Sequence, residues 1–140
     1  MVRDVTAHSL GLIARSPETG AEINSIVIER NTPLPAQGRQ RFHTLAENQE
    51  EILVVITQGE DTDPAYVTVV GSARIPIPPS DESIEIDVVI GYDEQGLIEV
   101  SVVDTNGDVP LGQFSIDRQA NVDADEVMRM RRSLNALNLR

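Results

Sequence analysis

Two histidines and a few neighbouring carboxylates are the groups in this 140-residue sequence best suited to transfer protons or to bind a metal ion. Only His8 and His43 are of a residue type that serves as a base near neutral pH, and neither belongs to a nucleophile motif or to a close pair such as HxH or HxxxH. The acidic pairs Glu50–Glu51 and Asp61/Asp63 are typical of solvated loops. Because no cysteine is present either, the sequence favours a binding protein over an enzyme and predicts no metal site.

The charge of the chain limits its ligands and its location. The 11 basic residues are all arginines and the acids number 23, which gives a net charge of −12 that repels phosphates. We therefore expect no nucleic acid and, with no lysine for a GxxxxGK[ST] loop, no bound cofactor. No run of 18 apolar residues occurs, so we expect no membrane partner. The absence of cysteine and of a signal-peptide pattern at residues 1–6 predicts a cytoplasmic protein.

Hydrophobic residues recur with a period of two through much of the chain, which is typical of β-strands. Ile52–Ile56 is a β-branched run expected of a buried strand, and Ile84–Ile90 and Ile98–Val102 predict a hairpin that turns at Tyr92–Gly96. Further strand candidates are Ile23–Glu29, Gln40–Thr44, Ala65–Val70 and Leu111–Ile116. The pattern predicts a mainly β fold, an antiparallel β-sandwich of about eight strands, with a barrel as the alternative.

Two proline-rich segments and the last twenty residues interrupt this pattern. Asn31–Pro35 and Ile75–Pro79 are predicted loops, because proline removes a donor from a strand ladder. Asp123 and Glu126 form an acidic version of a capping box, which predicts that a helix begins there. Its apolar face recurs at helical spacing and consists of Val127, Met130, Leu134 and Leu137. Arg129, Arg131 and Arg132 either complement the dipole of this helix or form a local anion site.

Six short segments stand out by their letters and their order along the chain. They are Asp4–Gly11 (DVTAHSLG), Ile28–Pro35 (IERNTPLP), Phe42–Gln49 (FHTLAENQ), Val54–Glu60 (VVITQGE), Ile86–Ser101 (IDVVIGYDEQGLIEVS) and Asn121–Val127 (NVDADEV). In this order they resemble motifs of the substrate-binding domain of seventy-kilodalton heat-shock chaperones. Those motifs are DVTPLSLG, I-x-[KR]-N-T-x-[IL]-P, F-S-T-x-x-D-N-Q, V-x-V-x-Q-G-E, the hairpin I-x-V-x-F-x-x-D-x-x-G-I-L-x-V-S, and the lid entry G-L-[ST]-x-x-E-I.

The resemblance implies a domain organisation and a function. Residues 1–120 are expected to form a peptide-binding β-sandwich and residues 121–140 the start of a helical lid, either truncated or complete as a short terminal helix. The implied function is to hold extended, leucine-centred segments of unfolded polypeptides without covalent chemistry. ATP would bind a nucleotide-binding domain of the parent chain, which this sequence does not contain. That domain and co-chaperones are the other implied partners.

The resemblance also implies which residues contact the peptide. The channel residues carried over are Leu10, Leu12, Phe42, His43, Thr44, Leu45, Gln49, Ile52, Val54, Ile56 and Ile86. Gln49 and the backbone from His43 to Leu45 would approach the peptide chain, and the apolar members would line a pocket. Ile52, Val54 and Ile56 share one strand face by periodicity alone, and without the resemblance such a face indicates an ordinary core.

The arch that closes over the peptide in these chaperones departs from the family pattern here. Its two positions fall at Arg15 and Leu45, and the segment Ala14–Glu22 is about five residues longer than the family's. A cation at Arg15 would make the arch polar, or Arg15 is a solvated loop residue. This departure motivates an alternative function, an interaction module that recruits one dedicated protein partner. We also expect self-association through the apolar face of the last helix.

Overall fold

The computed structural model describes residues 4–16, 18–44, 50–78 and 83–117, together with the backbone of residues 137–139. Strands dominate these ranges, and one 3₁₀ turn is present at Pro64–Tyr66. The strands are β1 (Leu10–Arg15), β2 (Glu22–Ile28), β3 (Ala36–His43), β4 (Glu51–Gln58), β5 (Thr68–Pro76), β6 (Glu85–Tyr92), β7 (Leu97–Asp104), β8 (Val109–Asp117) and β9 (Leu137–Leu139). The fold is therefore mainly β, as the period-two pattern predicts.

Eight of these strands form two antiparallel sheets of four strands each, in a sandwich-like arrangement. The first sheet has the order β5-β4-β1-β2, and the second has the order β3-β6-β7-β8. In the second sheet, β6, β7 and β8 follow one another as simple hairpins, whereas β3 comes from earlier in the chain. The predicted hairpin around Tyr92–Gly96 is confirmed as the β6–β7 connection.

The turn between β6 and β7 is held by one aspartate. The Asp93 carboxylate accepts hydrogen bonds from the backbone N–H groups of Gln95 and Leu97, each at 2.9 Å. Gly96 adopts a φ of 87°, and glycine adopts such a positive φ at little cost in free energy because it has no Cβ atom. The turn chemistry seen in the sequence therefore sets the register of the hairpin.

The side chains between the two sheets form one apolar cluster. Its largest fully buried members are Phe42, Leu10, Leu12, Ile52, Ile56, Ile86, Ile90 and Ile98. Burying each aliphatic side chain of this size stabilises the fold by about 1.5–3 kcal/mol. The sheets approach closely where β5 meets β8, because a Cβ atom at Gly71 would lie only 2.6 Å from Cδ1 of Ile116.

Strand β4 is buried on both of its faces. Ile52, Val54 and Ile56 belong to the main cluster, whereas Leu53 and Val55 belong to a second apolar cluster with Ile13 on the opposite face. This double burial explains why Ile52–Ile56 is a continuous apolar run rather than an alternating one.

Three sequence predictions need correction. The candidate strand Ala65–Val70 begins instead as the 3₁₀ turn, and β5 starts at Thr68. The predicted loop Ile75–Pro79 is strand as far as Pro76, which is tolerated because β5 is an edge strand. Leu137, assigned to the apolar face of the last helix, lies in β9, because backbone pairing holds residues 137–139 in extended form. The rest of that predicted helix, residues 121–136, lies outside the described residues.

Candidate functional site

The two sheets separate where β1 and β3 face each other. Strand β1 pairs with β4 only over Leu10–Leu12, so Ala14 and Arg15 have no partner in β4. Strand β3 pairs with β6 along its whole length, and its other edge faces β1. We call the gap between Ala14–Arg15 of β1 and Phe42–His43 of β3 the seam. Backbone groups on both sides of the seam need hydrogen-bond partners.

Strand β9 fills the seam and pairs with both of its walls. It runs parallel to β1, with Leu137 opposite Ala14 and Asn138 opposite Arg15. It runs antiparallel to β3, with Asn138 opposite His43 and Leu139 opposite Phe42. These pairs join the two four-stranded sheets into one hydrogen-bonded set. The seam therefore accepts an extended three-residue segment through its backbone on two sides.

The apolar residues predicted to line a channel are brought together in the main apolar cluster between the sheets. Leu10, Leu12, Phe42, Ile52, Val54, Ile56 and Ile86 all belong to the main apolar cluster, and none is more than 1% exposed. Phe42 connects this cluster to the seam, because its backbone lies opposite both Ile86 of β6 and Leu139 of β9. A side chain entering from the seam would thus meet core packing rather than water.

Thr44 and His43 lie at the end of β3, in different environments. Thr44 is 2% exposed, and its hydroxyl accepts a hydrogen bond from Ile84 N–H at 2.9 Å while its own N–H donates to the Ile84 carbonyl at 3.0 Å. The His43 side chain is 13% exposed, and its Nε2 atom lies 3.3 Å from Oε2 of Glu85. The predicted site residues Leu45 and Gln49 lie outside the described residues.

Arg15 lies at the end of β1, as one of the two predicted arch residues. Its Nη1 atom donates a hydrogen bond of 2.8 Å to the carbonyl of Gly20. The guanidinium is therefore held against the β1–β2 connection of its own sheet rather than across the seam. The backbone of Arg15, in contrast, faces Asn138 of β9.

A cluster of ions on the outer face of β3 and β6 was not found from the sequence. Asp87 is 2% exposed and accepts from Nε of Arg39 at 2.8 Å and from Nε of Arg41 at 3.0 Å. The hydrogen bond from Arg41 is the main reason why the pKa of Asp87 lies below its usual range, and Arg39 lowers it further against the opposing effect of burial. The Asp87 carboxylate likewise raises the pKa of Arg41. No signal in the sequence pairs these residues until the β3–β6 register is known.

Neither metal ligation nor membrane crossing is evident in the described part of the chain. Within it, no three His, Cys, Asp or Glu side chains come close enough to hold a metal ion. His8 lies 3.9 Å from Glu60 and His43 lies 3.3 Å from Glu85, so the two histidines have different carboxylate neighbours. Among the described residues, no helix is long and apolar enough to span a bilayer.

Comparison with known proteins gives a consistent result over nearly the whole chain. The family model described as Hsp70 protein matches residues 1–139. The chaperone protein DnaK1 of Prochlorococcus marinus is 33% identical over 133 residues, which cover 93% of this chain. The same match covers 19% of DnaK1, so the chain spans about a fifth of the length of that curated relative.

Proposed function

Since the chain belongs to the Hsp70 family, we propose that its sandwich, residues 1–120, is a substrate-binding unit that holds extended apolar segments of unfolded polypeptides in the seam. Family membership supports a chaperone role in general. Substrate binding by this unit, and residues 121–140 as the start of a lid, are the proposed refinements.

The observation that carries the proposal is the pairing of a short extended segment with β1 and β3 at once. Pairing through the backbone is independent of side-chain sequence, so it suits a protein that must bind many segments. Selectivity would come from one side chain entering the apolar cluster, where burying a leucine contributes about 1.5–3 kcal/mol. Together these terms are consistent with an intrinsic affinity in the micromolar range, about −8 kcal/mol.

The partners of a longer parent protein are also proposals. ATP would act through a nucleotide-binding domain elsewhere in such a protein, and co-chaperones would bind the assembled molecule. The sandwich itself would be the binding element, and we propose no catalytic step for it. A cytoplasmic location is proposed on the sequence features given above.

Fluorescence anisotropy of a labelled leucine-centred heptapeptide with basic flanks tests the proposal. Ile52→Phe enlarges a side chain on the core face of β4, and Leu53→Phe makes a comparable change on the opposite face of the same strand. We expect Ile52→Phe to weaken binding at least tenfold, and Leu53→Phe to leave it within about twofold of wild type. Circular dichroism should show that both variants are folded.

Equal loss of binding in the two folded variants would contradict the assignment of the site.

One observation favours the alternative function, a module that recruits a dedicated partner. The Arg15 guanidinium is held at the Gly20 carbonyl, so it does not provide the apolar bridge that an arch over generic peptides requires. That alternative predicts no affinity for leucine-centred peptides in a folded wild-type chain, even when the seam is open.

A further inference from the structure

Strand β9 is short, and among the described residues its main contacts are with β1 and β3 along the seam and with the neighbouring strand β4. It makes two residue pairs with β1 and two with β3. In comparison, β3 and β6 are paired over eight residues, from Ala36 to His43. A segment held by so few backbone pairs can leave without unfolding the sheets on either side of it.

The sequence of β9 also matches the kind of segment that the proposed function requires. Leu137 and Leu139 are leucines flanking Asn138, and a single basic residue, Arg140, follows them. The segment is extended, carries apolar residues and pairs through its backbone. These are the properties proposed for a peptide substrate.

We propose that Leu137–Leu139 is an internal ligand of the seam, which occupies in cis the place of a peptide and must leave before a peptide can bind. This inference rests on the proposed function. It adds that the chain regulates its own binding site, because peptide binding competes with β9. The competition replaces β9 backbone pairs with peptide backbone pairs, so the two sheets remain joined in either state.

Covalent attachment makes β9 an effective competitor. Strand β9 follows β8 in the same chain, so it is tethered covalently to the sandwich that forms the seam. A tethered ligand acts at an effective concentration on the order of millimolar when its connection spans the sites well. If β9 by itself binds the seam with a dissociation constant of about 0.1 mM or below, a free peptide then binds the wild-type chain at least about tenfold more weakly than it binds an open seam.

The test removes one backbone donor in the 140-residue chain. Asn138 lies opposite both Arg15 and His43, and Asn138→Pro removes its N–H and restricts its φ angle. Asn138→Ala is the matched control, because it retains the N–H and hence the strand pairing. The probes are the labelled leucine-centred heptapeptide and a labelled peptide with the sequence of residues 134–140, LNALNLR.

We expect Asn138→Pro to bind both peptides at least about tenfold more tightly than the wild type, and Asn138→Ala to bind them as the wild type does. Nuclear Overhauser contacts between backbone protons of His43 and Asn138 should be present in the free wild-type chain and disappear when either peptide is added in excess.

Three other outcomes would overturn the inference, and they differ in what they say about the proposed function. If wild type and Asn138→Pro bind the heptapeptide equally well, peptide binding stands and internal competition is wrong. If neither binds any peptide while the His43–Asn138 contacts persist, β9 is a fixed strand and both proposals fail. If the contacts arise only between differently labelled molecules in a mixed sample, the occupant is a second copy rather than the same chain.

Discussion

Strand β3 is paired on both edges, and the two edges differ in length and in reinforcement. On the β6 side the pairing spans Ala36–His43 and continues through the two hydrogen bonds between Thr44 and Ile84. Asp87 of β6 is also hydrogen-bonded to Arg39 and Arg41 on the outer face of the same pair. On the seam side only Phe42 and His43 are paired, and their partner is the three-residue strand β9.

The difference suits the proposed function, in which one strand serves both structure and binding. The β6 edge is paired over eight residues, is reinforced by the hydrogen bonds of Asp87 to two arginines and packs on the apolar core. It should therefore open only when the protein unfolds. The seam edge is short and its partner is a three-residue strand, so it should open locally. A site that binds an added strand requires an edge that opens locally, next to an edge that stays paired.

The largest effect should come from Phe42, because it contributes to both edges. Its side chain is fully buried in the main cluster, and its backbone pairs with Ile86 and Leu139. Phe42→Ala should lower the free energy of unfolding by about 3–5 kcal/mol, which urea denaturation would measure. Phe114→Ala, at a partly buried position on β8, is the matched control and should cost clearly less. Equal losses in the two variants would contradict this account of β3.

A smaller effect should follow when the hydrogen bonds of Asp87 to Arg39 and Arg41, which reinforce the β3–β6 pairing, are removed. Asp87→Asn should lower the free energy of unfolding by about 1–2 kcal/mol at pH 7, because hydrogen bonds to a buried carboxylate are lost while the two arginines remain half exposed. Since the folded protein lowers the pKa of Asp87, its contribution is complete above the unfolded-state pKa of about 3.9 and is lost as the pH falls through the lower folded-state pKa.

Urea denaturation of wild type and Asp87→Asn between pH 7 and pH 2 checks both parts of this prediction. The difference between their unfolding free energies should shrink below about pH 4. A difference that stays constant over this range would mean that the aspartate acts through packing rather than charge. Peptide binding should change little in Asp87→Asn at pH 7. Asp87 belongs to β6, which pairs with the edge of β3 that does not form the seam.

The smallest effect is expected at Arg15. Its guanidinium contacts the Gly20 carbonyl at a partly exposed site, so Arg15→Ala should change the unfolding free energy by less than about 0.5 kcal/mol. Peptide affinity measured in the Asn138→Pro background should also stay within about twofold, because only the backbone of Arg15 faces the seam. A tenfold loss of affinity would show instead that the side chain reaches over the bound peptide and acts as an arch.

Much of the fold was predictable because local rules and the global structure agree. The hairpin of β6 and β7 follows from alternation and from the turn ending at Gly96, and β4 follows from a run of β-branched residues. Strand β1 was not predicted from its pattern, because Leu10–Arg15 is buried along nearly its full length and shows no alternation. The start of β5 was misplaced, because Pro64 and Ala65 belong to a turn that Asp63 caps.

The sequence by itself determined the fold class, the family and several residues of the main apolar cluster, since these depend on residue type and spacing along the chain. Only the tertiary structure decided which edges of β1 and β3 lie opposite each other, that Asp87 holds two arginines of a neighbouring strand, and that residues 137–139 are a strand rather than part of a helix. The physical reason is that helix propensity is a local preference, and it differs between ordinary residues by only a few tenths of a kcal/mol per residue. Two unpaired strand edges that are distant in the sequence but opposite each other in the fold can outweigh such a preference. They offer hydrogen-bond partners to the backbone N–H and C=O groups of whichever segment lies between them.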